Sequence, residues 1–121
     1  MILWHYAPVI AKQLKFAATK VTIPDWQWYG GYNDRFAICG LDAGRIYSNR
    51  IELIPDYLNK TGGPLPAERF LRFNLHKARI TVKACSLRAS RTRVNGNVIE
   101  ENFKPASLGK HIKRALLKYF V

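Results

Sequence analysis

The chain has 121 residues, of which 48% are apolar, so it can bury one hydrophobic core and is not a disordered basic tail. Twenty Lys and Arg stand against eight Asp and Glu, which gives a formal net charge of +12. A fold with this charge attracts polyanions such as DNA, RNA or an anionic membrane, and charge kept only for solubility is the alternative.

The first quarter of the chain predicts a helix, a strand and an aromatic loop. Residues 8–18 carry Pro8 in the first turn and a broad apolar face, which is typical of a short helix. Residues 19–23 read as a short strand that ends at Pro24. The aromatic residues that follow could stack on unpaired bases, although such a cluster is more often core. They are Trp26, Trp28, Tyr29 and Tyr32, around Gly30 and Gly31.

The middle of the chain predicts short strands and a loop. Strands are expected over residues 35–39, 44–48 and 51–54, with a tight turn at residues 41–44. Residues 57–68 contain two glycines and two prolines, a composition that is typical of a loop.

Two runs of alternating polarity predict a basic β-hairpin. Residues 69–75 and 79–84 each alternate with a period of two, and residues 76–78 form the turn. A two-stranded ribbon of this kind fits the DNA major groove and can present several cations to neighbouring phosphates. The alternative is an exposed sheet face that carries arginine to prevent aggregation.

The last part of the chain predicts a basic helix or extension over residues 85–93, a turn at residues 95–97 and a helix over residues 106–120. This last helix packs on its own sheet, or else docks on a partner, a second copy or an anionic membrane. We therefore predict one α+β domain over residues 1–121, with a small, mainly antiparallel sheet and an N-terminal and a C-terminal helix packed on it.

Most of the excess positive charge lies in the second half of the chain. Residues 69–102 hold eight basic groups against only two acids, Glu100 and Glu101. Arginine binds phosphate through paired hydrogen bonds, and the hydroxyl groups between residues 88 and 93 add neutral ones. The predicted nucleic-acid contacts are Arg69, Arg72, Arg79, Lys83, Arg88, Arg91 and Arg93.

Five short segments between residues 35 and 88 resemble a known family. They are FAIC at 36–39, GRIYS at 44–48, LIP at 53–55, FLRFNL at 70–75 and KARITV at 77–82. In this order they are similar to the nuclease-associated modular DNA-binding domain found beside HNH nucleases in phage and intron-encoded homing endonucleases. The resemblance covers under half of the chain. It implies a small three-stranded sheet, DNA contact through Arg69, Arg72, Arg79 and Lys83, and a viral or mobile-element origin.

Catalytic and metal sites have weak support in the residue pattern. His76, Asn102 and His111 occur in the order of an HNH nuclease, but no acid or second histidine beside His76 completes a metal site. Cys39 and Cys85 lie far apart without a close ligand pair, so we expect free thiols in a reducing compartment and no zinc site. No glycine-rich loop matches a nucleotide fingerprint, and no cofactor is expected.

The sequence as a whole favours a non-catalytic nucleic-acid-binding protein, with DNA favoured over RNA. No apolar run reaches the roughly 20 residues of a membrane span and no secretory leader is evident, so an intracellular location in the cytoplasm, nucleoid or nucleus is expected. One alternative is an inhibitor or adaptor that binds an acidic surface of a host or partner protein. A metal-dependent HNH-like nuclease is the other, and homo-oligomer formation is left open.

Overall fold

The structure, a computed structural model, describes residues 17–106. Its elements confirm the α+β class. The helices predicted over residues 8–18 and 106–120 lie outside the described residues, apart from their inner ends. In chain order the elements are β1 (Lys20–Pro24), β2 (Ile38–Cys39), α1 (Leu41–Ser48), a 3₁₀ turn (Arg50–Leu53), α2 (Ile54–Thr61), α3 (Ala67–Lys77) and β3 (Thr81–Cys85).

The three strands form a mixed sheet with β1 in the centre. β2 pairs with β1 in the antiparallel direction, and β3 pairs with β1 in the parallel direction over five residues, from Lys20 opposite Thr81 to Pro24 opposite Cys85. The sheet is therefore mixed and not mainly antiparallel. The reason is that three helices separate β1 from β3, and such a crossover returns the chain in the same direction. Cys39 and Cys85 lie on the two outer strands as free thiols.

The predicted basic hairpin is wrong in its first arm, because residues 67–77 form the helix α3. Its second arm is correct in kind, since β3 begins at Thr81. Phe70, Leu71, Asn74 and Leu75 are the buried residues of α3, which is helical spacing. A run of seven residues fits both periods, and the helix is favoured by Glu68 in its first turn and by basic residues in its last.

The strands predicted over residues 44–48 and 51–54 are also wrong, because these residues form α1 and the 3₁₀ turn. Gly44 suggested a turn, yet it lies inside α1, where Ala43, Ile46 and Tyr47 recur at helical spacing against the core. The tight turn predicted at residues 41–44 is the first turn of that helix. The loop predicted over residues 57–68 shortens to residues 62–66, between α2 and α3.

The core lies between one face of β1 and the helices α1 and α3. Val21 and Ile23 of β1 pack with Leu71 and Leu75 of α3, and all four are fully buried. Burial of each such side chain stabilises the fold by about 1.5–3 kcal/mol. The sheet and α3 are therefore one packed unit, and α3 gives a rigid support to whatever its outer face carries.

Residues 86–106 form no helix or strand, and two isolated antiparallel bridges involve them, Thr92 with Val98 and Trp26 with Pro105. The Gly96 amide donates to the Arg93 carbonyl at 2.9 Å and closes a turn, so the turn predicted at residues 95–97 is confirmed. Within residues 17–106, no helix combines the length and the apolar character needed to cross a bilayer.

Candidate functional site

The loop of residues 29–32 lies directly on α3. A β-carbon on Gly31 would come within 2.0 Å of the Glu68 carbonyl oxygen, so only glycine allows this approach. The Tyr32 amide donates to the same Glu68 oxygen at 3.0 Å. The backbone of the loop is therefore fixed against the first turns of the helix.

Two arginines of α3 converge on Gly30, the residue before Gly31 in this loop. The Arg69 guanidinium lies against Gly30, with Nε 3.3 Å from the position that a β-carbon would take there. Arg72 Nη1 approaches the Gly30 carbonyl oxygen at 3.4 Å. Among the described residues, no carboxylate lies within ion-pair distance of either guanidinium. We call Arg69, Arg72 and the loop of residues 29–32 the α3 basic face.

Tyr32 of the α3 basic face pairs with His76 of α3. The Tyr32 hydroxyl and His76 Nε2 share a hydrogen bond of 2.7 Å, and the Arg72 guanidinium lies 5.9 Å from the Tyr32 ring centroid. Burial and then the Arg72 charge lower the pKa of His76, while burial raises the pKa of Tyr32 against the same charge. The hydrogen bond joins the loop of residues 29–32 to the last turn of α3.

The histidine expected in an HNH-like site is therefore engaged in a structural hydrogen bond. His76 lies in the last turn of α3 and not in the turn of a hairpin. Asn102 accepts a hydrogen bond from the Lys104 amide at 3.0 Å, and His111 lies outside the described residues. In the described part of the chain, no three His, Cys, Asp or Glu side chains are grouped so that they could hold a metal ion.

Three further predicted contacts lie in separate places and not on one ribbon. Arg79 follows α3, Lys83 is on β3, and Arg93 begins the turn that Gly96 closes. All three are exposed, and over residues 17–106 none has a carboxylate within ion-pair distance.

The backbone of Arg79 has an unusual conformation. Its φ of 56° is left-handed, at the position after a helix where glycine is preferred. The Arg79 amide donates to the His76 carbonyl at 3.0 Å and the Ile80 amide to the Leu75 carbonyl at 2.9 Å, which is a Schellman motif. The side chain is therefore attached to a well-defined helix end.

Arg88 and Arg91 are held by carboxylates, which corrects the premise that few acids lie near the predicted contacts. Arg88 Nη1 lies 2.6 Å from Asp25 Oδ1, and Arg91 Nε lies 3.0 Å from Glu101 Oε1. Asp25 is 63 residues from Arg88 in the sequence, so only the fold brings them together. These two guanidinium groups fasten the segment after β3 to the rest of the domain.

Glu101 is the centre of that attachment. Its side chain is only 3% exposed and accepts hydrogen bonds from Gln27, Arg35 and Arg91. The Gln27 hydrogen bond, supported by those of the two arginines, lowers the pKa of Glu101 against the effect of burial. One of the few acids in the basic half is therefore a structural anion that neutralises two nearby cations.

The aromatic cluster is mostly core, as the alternative interpretation held. Trp26 is fully buried and donates from Nε1 to the Leu87 carbonyl at 2.7 Å, and Trp28 is 5% exposed. Tyr32 is half-buried, whereas Tyr29 is 63% exposed. Of the four predicted stacking residues, Tyr29 is the most exposed.

Comparison with known proteins finds no matching family model, no similar curated protein and no similar solved structure. The segments that resemble the nuclease-associated domain lie in different elements: residues 44–48 in α1, residues 70–75 in α3 and residues 81–82 in β3.

Proposed function

We propose that the protein binds nucleic acid, in particular DNA, without catalysis, and that the α3 basic face is its central phosphate-binding element. The observation that supports this most strongly is the convergence of Arg69 and Arg72 on Gly30 with no carboxylate at ion-pair distance in the described chain. Two like charges held together repel each other, and an anion between them relieves that repulsion. A guanidinium group also offers the planar pair of donors that phosphate oxygens accept.

Exposed cations elsewhere add to the positive charge of the domain. Arg79, Lys83 and Arg93 add positive charge that no described carboxylate neutralises at ion-pair distance. In the sequence, residues 1–16 and 107–121 add six more Lys and Arg and no acid. Such an excess attracts a polyanion from a distance, and the phosphate contacts then fix it.

The test compares the two arginines of the α3 basic face, which have no carboxylate at ion-pair distance in the described chain, with two arginines that are bound to carboxylates. The double variant Arg69→Gln/Arg72→Gln is titrated into labelled single-stranded and duplex DNA at two salt concentrations, beside the matched control Arg88→Gln/Arg91→Gln. We expect the α3 variant to lose affinity about tenfold or more and to reduce the duplex salt slope by about 1 for each arginine. The control should bind within about threefold of wild type and lose up to about 1 kcal/mol of stability.

Two results would reject the proposal. Wild-type binding no tighter than about 10⁻⁴ M at physiological salt is the weak end of non-specific DNA affinity, and the charge would then serve an acidic protein partner. Equal loss of affinity in both double variants would show that only the total charge matters and that the α3 basic face is not a site. RNA of the same length is included so that a preference for it is detected.

A further inference from the structure

We infer that Tyr29 is a base-stacking platform, so that the α3 basic face takes a nucleotide of single-stranded DNA with its base on the Tyr29 ring and its phosphate at Arg69 and Arg72. This inference rests on the proposed function. It adds the physical form of the ligand, a strand with unpaired bases.

The first observation is the exposure of Tyr29 beside two buried tryptophans. Trp28 turns inward, where its Nε1 donates to the Pro24 carbonyl at 2.6 Å, and the next side chain points outward. Tyr29 is 63% exposed. Within residues 17–106, it forms no hydrogen bond and no ring or cation–π contact. Among residues 17–106, Tyr29 therefore has no polar or aromatic partner.

The second observation is the backbone conformation of Tyr29. The φ of Tyr29 is 45°, in the left-handed region that bulky residues rarely adopt. The next residue, Gly30, also has a positive φ, 85°, but glycine adopts this conformation without strain, whereas tyrosine does not. Strain of this kind persists where the surroundings fix it, and it is concentrated at binding and active sites.

The third observation is the contact of both arginines of the α3 basic face with the residue that follows Tyr29. Arg69 lies against Gly30 and Arg72 approaches its carbonyl oxygen, so both cations surround the residue that follows Tyr29. An exposed aromatic residue that directly precedes the residue contacted by two guanidinium groups offers partners for the two parts of a nucleotide, a base and a phosphate. In a duplex the faces of the bases are covered by their neighbours, so this pair of contacts selects unpaired bases.

The experiment removes the ring and the base separately. Wild type, Tyr29→Ala and Tyr29→Phe are titrated into a single-stranded oligonucleotide and into an abasic strand of the same length and charge. We expect Tyr29→Ala to weaken binding to the normal strand by about 5–150-fold, the range of one lost base–aromatic stack. Tyr29→Phe keeps the ring, so it should bind the normal strand with nearly the affinity of wild type. The loss on the abasic strand should be far smaller, because no base is there to stack.

The matched control is Ile51→Ala, an exposed apolar residue (70%) of the 3₁₀ turn that is outside the α3 basic face. Its affinity should equal that of wild type. Thermal unfolding of every variant shows that each is folded at the temperature of the titration.

The possible results separate this inference from the proposed function. If Tyr29→Ala binds the normal strand as wild type does, or loses equally on normal and abasic strands, stacking is overturned while nucleic-acid binding stands. If wild type binds neither strand and does not bind a duplex either, both proposals fall. If a duplex binds more tightly than the single strand and Tyr29→Ala weakens both equally, the selection of unpaired bases is rejected.

Discussion

Two arginine-rich regions of this molecule look alike in sequence and differ in what their guanidinium groups contact. On the α3 basic face, Arg69 and Arg72 surround a glycine, with no carboxylate at ion-pair distance in the described chain. After β3, Arg88 and Arg91 bind Asp25 and Glu101. Arginine density alone therefore does not identify a binding surface, because part of it is used to hold the domain together.

The two regions also differ in how a ligand would act on them. A phosphate at the α3 basic face adds a counter-ion where the described chain supplies no carboxylate at ion-pair distance, so its binding displaces no acid. A phosphate at Arg88 or Arg91 competes with a carboxylate that is already in place, and it leaves that acid unpaired. Removing residues from each region should therefore have opposite signatures, loss of binding in the first and loss of stability in the second.

The largest effect is expected from Gly31→Ala, which attacks the support of the α3 basic face. The added β-carbon would meet the Glu68 carbonyl at 2.0 Å, and backbone cannot rotate away as a side chain can. We expect a loss of about 3 kcal/mol or more in the free energy of unfolding, at the upper end of overpacking costs. Urea denaturation measures it, with loss of DNA affinity at temperatures where the variant is folded.

A second glycine gives the control for this prediction. In Gly44→Ala the new β-carbon would lie 3.4 Å from the Cys39 β-carbon, an ordinary contact, and the residue is inside α1. Alanine is the better helix former, so this variant should gain up to about 1 kcal/mol. Equal destabilisation by the two substitutions would contradict the close approach of the loop to α3.

The next effect belongs to the region after β3. Glu101→Gln removes the charge that Arg35 and Arg91 share and leaves one donor without an acceptor. We expect a loss of about 1.5–3 kcal/mol in unfolding free energy, with DNA affinity of the folded protein nearly unchanged. Glu100→Gln, an exposed neighbour, should change stability by less than about 0.5 kcal/mol.

The difference in stability between wild type and Glu101→Gln should depend on pH, because the fold lowers the pKa of Glu101. A carboxyl with a depressed folded-state pKa contributes stability above its unfolded-state pKa, about 4.3 for glutamate, and loses it as pH falls through the folded-state value. The gap between wild type and Glu101→Gln should thus be full at pH 6–7 and shrink below about pH 4. A gap that stays constant down to about pH 2 would show that the charge of Glu101 does not support the attachment.

The sequence predicts the strands of this fold better than its helices. β1 and β3 stand where strand patterns were expected, because β-branched residues and Pro24 mark them locally. The helix α3 was missed because residues 69–75 are too few to separate a period of two from one of 3.6. The parallel pairing of β1 with β3 joins residues about 60 positions apart, and no local pattern encodes it.

The candidate site was predictable in its residues and not in its arrangement. Arg69 and Arg72 were expected as contacts, although on a strand. Their convergence depends on the close approach of the loop to α3 at Gly31. In the sequence, Gly31 is visible only as one of a glycine pair in an aromatic loop. The pairing of Arg88 with Asp25 could not be foreseen from composition, since it crosses 63 residues. A left-handed backbone at Tyr29 likewise leaves no mark in the sequence when the residue is not glycine.

The smallest effect, and the sharpest separation of stability from binding, is expected at Arg79. Glycine at this left-handed position relieves about 1–2 kcal/mol of strain and costs about 0.5–1 kcal/mol in chain flexibility. Arg79→Gly should therefore be more stable than wild type by about 0.5–1 kcal/mol, and yet bind DNA more weakly with a salt slope lower by about 1.

Arg79→Ala completes this comparison, because it removes the guanidinium and keeps a β-carbon in the left-handed conformation. It should lose the same affinity as Arg79→Gly without the gain in stability. If both variants bind DNA as wild type does, Arg79 is outside the interface and the binding surface ends at the α3 basic face. If both bind more weakly and only the glycine variant is more stable, the arginine at this helix end contributes to binding at the expense of stability, the reverse of what Arg88 does with Asp25.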